Sequence, residues 1–441
     1  MPSYILVDVQ TRRVLITCSV IGLVLFAIGI GIGYATGRGS TNKRVSMASV
    51  AEAIRSTCGD TMIRTPSGKL YFDRFVQRHN EKHACVASQK DCWNFGLPRN
   101  YIAYHLNGKT ITMDGRLDEE AWNEVPWSDN FVDMRSTVYP KPYLDTKYKM
   151  RWDDERMYIG VYIQEKNLWA TMNTPDSQIW KENGVEFLMD VDGSMFNYKQ
   201  VQINVLGTMM DQLIYKSPWD ARNITVQYQD WHPDARKAVF TEGTVNTPGD
   251  EDKYWSVEIS FSFVKLAESS QRVQPNPAQN EVWFIQLGRS EQNLTVVDGQ
   301  YKKVPKSKAQ WWSWQPCGAI NLLLQDRWGL VQFKRNIDDK KFRFDRWHIY
   351  KALFDMMDAM RKYQSINGKY TTDIEELDVP PYLLTGTCVD IPEIKFITRT
   401  NETLFPSVLT NPVKDFEVTV KSKLISHKPA HIRSDRYVTF K

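Results

Sequence analysis

Alternation of apolar and polar residues predicts β-strands through the middle of the chain. In residues 255–263 every second residue is apolar and those between are Ser or Glu. In residues 157–163 aliphatic residues alternate with Tyr and Gly. The runs "VWFIQLG" and "WGLVQF" add two further strands. Many short strands with polar turns and few helices are typical of an antiparallel β-sandwich, which we place at residues 101–335. Near its start, Asn107-Gly108 and Asp114-Gly115 predict hairpin turns.

A different period begins at Asp345. In "DRWHIYKALFDMMDAMRKYQS" apolar residues recur every three or four positions, which predicts one amphipathic helix that ends at Asn367-Gly368. We interpret its methionines as core residues. The runs "KFITRT", "FEVTVKS" and "RYVTF" then predict short strands, so residues 336–441 form a small helix-plus-strands domain.

The N-terminal region contains one long apolar segment. Residues 14–34 include no charge, and 21 residues of helix can cross a bilayer, so they predict a transmembrane signal-anchor helix after a short tail, residues 1–13. Residues 35–100 are polar and mixed, as in a stalk or cysteine-containing linker. The flanking charges are nearly balanced and leave the orientation open.

Two features favour a lumenal or extracellular C-terminal region, as in a type II membrane protein. The first is three glycosylation acceptors, at Asn223, Asn293 and Asn401. The second is a cysteine cluster whose members are disulfide candidates: Cys58, Cys85 and Cys92. Cys317 and Cys388 are either bridged or buried thiols. Five cysteines beyond the apolar segment is an odd number, so an unpaired cysteine, or the segment itself, could support a homo-oligomer.

Composition and motifs exclude some classes of partner and of catalytic site. The chain has 15 Trp and 20 Tyr, residues that serve both cores and binding faces, and a net charge of +4 without a block of Lys or Arg. We therefore expect no nucleic-acid partner. The sequence contains no HExxH, GxSxG, Walker or GxGxxG motif, so no catalytic residues are assigned.

Two neighbouring strands place polar residues together. In "VEFLMD" and "VQINVLG", Val185, Phe187 and the apolar residues two apart from them would line the core, so Glu186, Gln202 and Asn204 project from the other face. With Trp180 just ahead, these side chains could bind the hydroxyls and apolar face of a sugar. The alternative is an ordinary solvated sheet face. Asp190 and Asp192 of "DVDG" are candidate ligands for a structural calcium ion, or simply turn residues.

Five segments in order resemble family 9 carbohydrate-binding modules, which are β-sandwiches of the DOMON-like group. They are "ITMDGRLDEEAW", "KMRWDDERMYIGVYIQEKNL", "SQIWKENGVEFLMDVDG", "YKQVQINVLG" and "WWSWQPCGAINLLLQDRWGLVQF". The resemblance implies that Trp180 is one of two tryptophans that sandwich a glycan end, and that Glu186 and Asn204 bind its hydroxyls. It also implies an arginine at the position of Gln202 and a second tryptophan at the position of Leu322. Trp311, Trp312 and Trp314 are candidates for a substitute second wall.

The expected function is therefore non-catalytic, membrane-anchored carbohydrate binding. One alternative is a structural or protein-interaction module that has lost the sugar. Another is an enzyme, either a glycoside hydrolase by family association or a haem-binding DOMON-like protein, for which His105 and His232 are the histidines within the sandwich. The tail, including "NGKYTTDIEELDVP" and "IRSDRYVTF", resembles pilin-like helix-and-sheet domains.

Overall fold

The protein is described by a computed structural model at residues 4–9, 12–17, 90–218, 227–228, 230–399 and 413–441. At the N-terminus, β1 (Tyr4–Val9) pairs antiparallel with β2 (Arg12–Thr17). The predicted membrane segment, 14–34, thus begins within β2, where its first four residues are strand and not helix because they pair with β1; residues 18–34 lie outside the described residues. Among the described residues, no helix combines the length and apolar character needed to cross a membrane.

In the next part of the chain the regular secondary structure is mainly strand. Its strands are β3 (Asn100–His105), β4 (Val132–Asp133), β5 (Thr146–Trp152), β6 (Arg156–Gln164), β7 (Gly184–Asp190), β8 (Tyr198–Asn204), β9 (Met209–Ile214), β10 (Gln227–Tyr228), β11 (Arg236–Glu242), β12 (Tyr254–Ser262), β13 (Val282–Glu291), β14 (Leu294–Val297), β15 (Gln300–Lys303), β16 (Gln310–Ser313) and β17 (Gly329–Lys334). The short helices α1 (Glu120–Asn123) and α2 (Phe263–Ala267) interrupt them. The fold is mainly β, as the alternation predicts.

One long sheet curls over to form the two layers of a sandwich. Its order is β10-β9-β8-β7-β13-β17-β3-β5-β6-β12-β11, with β16 pairing with both β13 and β4. Phe187 of β7 contacts Phe261 of β12, with ring centroids 5.9 Å apart, so the two halves of the sheet face each other across the inner core. That core contains the predicted apolar faces of β7, β8 and β12, because alternate residues of each strand point inward.

The hairpins predicted near the start of the sandwich are wrong. β3 pairs in parallel with both β17 and β5, and residues 106–119 form no strand. The backbone N–H groups of Asp114 and Gly115 instead donate to the Glu258 carboxylate of β12, each at 2.9 Å. The buried Glu258 carboxylate therefore accepts hydrogen bonds from N–H groups that were predicted to lie in a hairpin turn.

The C-terminal region packs on the outside of the sandwich. It contains α3 (Trp347–Asn367), α4 (Pro381–Thr385) and an antiparallel sheet in the order β18 (Glu393–Arg399), β19 (Val413–Val420), β20 (Ala430–Arg433) and β21 (Val438–Phe440). Helix α3 ends where Gly368 takes a left-handed conformation, as Asn367-Gly368 predicts. Its methionines lie in a second apolar core, which confirms their predicted structural role.

This second core joins the two regions. Outer-face residues of the large sheet, Leu188, Phe284 and Leu330 among them, share it with α3, and Phe284 lies 5.0 Å from Tyr350 between ring centroids. A disulfide links Cys92, in a 3-10 helix (Asp91–Trp93), to Cys388 after α4. Of the other disulfide candidates, Cys58 and Cys85 lie outside the described residues, and Cys317 is a buried free thiol.

Candidate functional site

A small pocket lies on the outer face of β7, β8 and β13. Its lining includes Trp180, Glu186, Gln202, Ser290 and Trp311, together with Ile179, Gly184 and Val185. It holds about 170 Å³ of space, part of it open to solvent. The site is therefore a shallow depression in the surface and not an enclosed cavity.

Strand register explains how the pocket forms. Gly184 pairs with Ser290, which pairs on its other side with Trp311, so two small residues form the floor beside an indole. A Cβ at position 184 would lie 2.9 Å from the Ile203 carbonyl oxygen, so the floor is closed to larger residues. In the next row Glu186 pairs with Gln202. The pocket therefore follows from the face that alternation predicts for Glu186 and Gln202.

Trp180 lies on the opposite side of the pocket, in the 3-10 helix Ile179–Lys181, and is 37% exposed. The segment before this helix is held by the buried Glu182, whose carboxylate accepts N–H bonds from Thr171 at 2.8 Å and Met172 at 3.1 Å. Ser290 Oγ in turn donates to the Glu182 carbonyl oxygen at 2.6 Å. The sequence does not predict that Glu182 and Ser290 position Trp180, since neither residue belongs to a pattern that indicates this role.

Glu186 is buried, with 6% exposure, among neutral groups. Gln200 Nε2 donates to its Oε1 at 2.5 Å, the Gln202 side chain is a second partner, and Gln212 Nε2 donates to Gln200 Oε1. Burial raises the pKa of Glu186 to about 7, although these amides act to lower it. Gln202 Oε1 is buried and has no hydrogen-bond partner among the described residues.

Asn204 lies on the predicted face but does not line the pocket. Its Nδ2 donates to the Met172 carbonyl oxygen at 2.8 Å, and its Oδ1 accepts from the Leu206 and Thr208 N–H groups at 3.1 and 3.0 Å. The side chain is fully buried, and its polar atoms hold the β8–β9 turn and the segment that leads to Trp180. The predicted contact between Asn204 and a ligand stays a prediction.

Of the three tryptophans proposed as a second wall, Trp311 lines the pocket. Trp312 and Trp314 do not, because alternation in and after β16 turns them into the inner core, where they are 2% and 1% exposed. Leu322 lies over Gly288, where a Cβ would collide with the leucine side chain, and Gly288 pairs with Glu186. Leucine thus fills the neighbouring space where the resemblance implies a tryptophan.

The predicted calcium ligands both hold a turn through backbone hydrogen bonds. Asp190 accepts N–H bonds from Gly193 at 3.0 Å and Met195 at 2.8 Å, and Asp192 accepts from Ser194 at 2.9 Å and Gln271 at 2.6 Å. These backbone bonds are typical of turn residues, the alternative that the sequence also offers, and calcium binding by Asp190 and Asp192 stays a prediction.

Within the described part of the chain, the one acidic group compact enough for a metal is elsewhere: Asp114, Glu119 and Glu258. Glu258 accepts three N–H bonds of its own, from Asp114, Gly115 and the Trp122 indole, so we assign no metal to this group.

The other candidate residues lie apart from the pocket. His105 is hydrogen-bonded through both ring nitrogens, to Asn107 at 2.9 Å and Arg335 at 3.0 Å, and His232 contacts Asp211 at 2.9 Å. Asn293 lies at the base of the β14–β15 hairpin, where its Nδ2 donates to the Lys308 carbonyl oxygen. Asn223 and Asn401 lie outside the described residues.

The middle of the chain is similar in sequence to a known protein family. Residues 113–233 match the family described as carbohydrate family 9 binding domain-like. This part of the chain is therefore similar in sequence to that family. The matched segment includes Trp180, Glu186 and Gln202, whereas Trp311 lies beyond it. Comparison with curated proteins gives no significant match.

Solved structures of family 9 modules are similar to the chain at low identity. One is a family 9 module from Caldicellulosiruptor kristjanssonii in complex with cellotriose, at 13% identity and a TM-score of 0.35, covering 56% of this chain and 100% of that one. The other is a module of that family from the same organism in complex with glucose. Its identity is 16% and its TM-score 0.34, and the match covers 54% of this chain and 97% of that one.

Proposed function

We propose that the pocket between Trp180 and Trp311 binds the end of a glycan and that the protein is a non-catalytic carbohydrate-binding protein. The observation that carries the proposal is that two indoles, a carboxylate and an amide carbonyl line one pocket. Indoles present flat apolar faces to sugar rings, and the two acceptors suit hydroxyl donors. The match of residues 113–233 to the family 9-like domain supports this ligand class.

Calorimetric titration of the full chain with mono- and oligosaccharides tests the proposal. Trp180→Ala and Trp311→Ala should each weaken binding at least about tenfold, equivalent to about 1.4 kcal/mol. Trp127→Ala is the matched control: this indole is also partly exposed, but it packs against Lys147 and Tyr162 on the other half of the sheet. Absence of binding to any sugar at millimolar concentration, or equal losses for all three variants, would refute it.

A structural or protein-interaction role is the second candidate. The packing of Leu322 beside the pocket and the use of Asn204 for a turn favour it, because both replace expected ligand contacts. In that case the titrations would show no sugar binding, while Trp180→Ala and Trp311→Ala would reduce binding of a protein partner.

We also propose that the module is attached to a membrane with its C-terminal region lumenal or extracellular. The uncharged run within residues 14–34 supports attachment, and the glycosylation acceptors support this side of the membrane. Two experiments on the protein expressed in its own cells test these statements separately. Release of the protein by alkaline carbonate would contradict attachment by a membrane span. A chain whose mobility glycosidase digestion does not change would contradict a lumenal or extracellular C-terminal region.

A further inference from the structure

Glu186 differs from other buried acids of the protein in what surrounds it. Glu165 is matched by Arg289, at 3.0 Å, and Glu182 is surrounded by backbone N–H groups. Glu186 has side-chain amides as partners, and none of the ion pairs recorded for the described residues includes it. A buried carboxylate without a cation is costly, so a positive group placed beside it would be strongly favoured.

A second acceptor and two aromatic faces lie around the same space. Gln202 Oε1 is buried without a partner among the described residues, and Gln202 itself is 4% exposed. Trp180 and Trp311 flank the pocket, and the face of an indole attracts a cation. A ligand that brings both a positive charge and hydrogen-bond donors would satisfy the carboxylate, the orphan carbonyl and the indoles together.

We infer that the ligand is an amino sugar, a glycan end whose protonated amine lies between Glu186 and Gln202 while its ring lies between Trp180 and Trp311. This inference rests on the proposed function and specifies its ligand class. The carboxylate, the amide carbonyl and the two indoles line one small depression, so the amine and the ring belong to the same residue of the glycan. Lys303 donates to the Lys181 carbonyl oxygen at the exposed rim, where water and salt screen its charge.

The test compares three sugars that differ at one group. Glucosamine carries the ammonium, glucose a hydroxyl, and N-acetylglucosamine a neutral amide. In titrations of the full chain at pH 6 we expect glucosamine to bind about tenfold more tightly than the other two, because a charge-assisted hydrogen bond is stronger than a neutral one. Binding should also release protons from Glu186, seen as a dependence of the measured heat on the ionisation enthalpy of the buffer.

Two variants isolate the charge. Glu186→Gln keeps the shape and removes the charge, so the preference for glucosamine and the proton release should both disappear. Gln202→Arg supplies a cation from the protein, so glucosamine should lose about tenfold while glucose is retained. Circular dichroism and thermal unfolding of both variants verify the fold, and either variant alone suffices if the other does not fold.

The outcomes separate this inference from the proposed function. Equal affinities of the three sugars, or a preference for glucosamine that survives Glu186→Gln, would overturn the inference and leave glycan binding intact. Tight binding of methylammonium equal to that of glucosamine would also overturn it, since the ring would then contribute nothing. Absence of binding by every sugar refutes the proposed function itself.

Discussion

Trp311 and Trp312 are adjacent in β16 but project to opposite sides of the sheet, so the pocket and the inner core each receive one indole. Trp312 packs against the Arg289 guanidinium, 5.0 Å from its ring centroid, and against Tyr143. Arg289 in turn binds Glu165 and Glu291. Trp312 therefore covers a buried ionic network, whereas Trp311 faces the space that a ligand would fill.

Trp312→Ala should accordingly reduce stability far more than Trp311→Ala. Removing a buried tryptophan typically costs about 3–5 kcal/mol, because a cavity replaces its contacts. For the partly exposed Trp311 we expect roughly 1 kcal/mol or less. Chemical denaturation of both variants measures the difference, and equal losses would contradict the assignment of the two indoles to different sides.

The raised pKa of Glu186 makes a prediction about stability and pH. Because this pKa is about 7 in the folded protein, against its ordinary value of 4.5, the folded state holds the proton more tightly. Unfolding then releases a proton between these values, so stability falls as pH rises from about 4.5 to 7.

Glu186→Gln abolishes this contribution, since an amide does not titrate. The variant should match the wild type near pH 4.5 and exceed it at pH 8 by up to about 3 kcal/mol. Burial also raises the pKa of Glu258 and Glu291, so the difference between the two proteins isolates Glu186. The exposed Glu155→Gln is the control, and a constant difference across the pH range would contradict the prediction.

Strand alternation was sufficient to place Glu186 and Gln202 on one face and their apolar neighbours in the core. It could not assign Asn204, because the hydrogen bonds of that residue come from backbone groups distant in sequence, such as the Met172 carbonyl. The sequence likewise contains Trp311, Trp312 and Trp314 with no sign of which lines the pocket. The phase of β16, fixed by its pairing with β13, decides that.

At the scale of elements, covalent and non-covalent links hold the small C-terminal elements in place. The 3-10 helix with Cys92 contacts α3, where the Trp347 indole donates to the Phe95 carbonyl oxygen at 2.8 Å. The Cys92–Cys388 bond closes a loop with a sequence separation of 296 residues. Local sequence patterns do not predict contacts between residues so far apart. The sequence therefore indicated that these cysteines could form disulfides, but not that they pair with each other.

Replacing both cysteines, Cys92→Ser with Cys388→Ser, should destabilise the folded protein by about 2–4 kcal/mol, because the unfolded chain regains the freedom that the long loop had lost. Denaturation of the double variant measures this. Neither cysteine lines the pocket, so sugar affinity should be unchanged. A variant as stable as the wild type under oxidising conditions would contradict the pairing.

At the scale of the molecule, the sandwich and the C-terminal region share one core and are not merely linked. Beyond the aromatic contacts of Phe284, Arg327 of the sandwich pairs with Asp358 of α3, and Asp326 pairs with Arg436 of the tail. Periodicity predicted both regions but not their docking, because an apolar outer face on β7 or β13 resembles any strand buried on both sides. The likeness of the tail to pilin-like domains stays a prediction.

Because the C-terminal region covers part of its outer face, the sandwich should depend on that region for solubility and stability. A chain of residues 90–335, with Cys92→Ser to remove the unpaired thiol, would expose the outer-face residues Leu188, Tyr198, Phe284 and Leu330 as one apolar patch. Patches of more than a few hundred Å² are rare on soluble monomers, so we expect this fragment to aggregate or to melt well below residues 90–441. Size-exclusion chromatography with light scattering measures both chains.

Leu188→Thr with Phe284→Thr should partly restore solubility to the fragment while destabilising the longer chain, since the same side chains are exposed in one and buried in the other. A monomeric fragment with the melting temperature of the longer chain would instead show that the sandwich is independent of its covering domain.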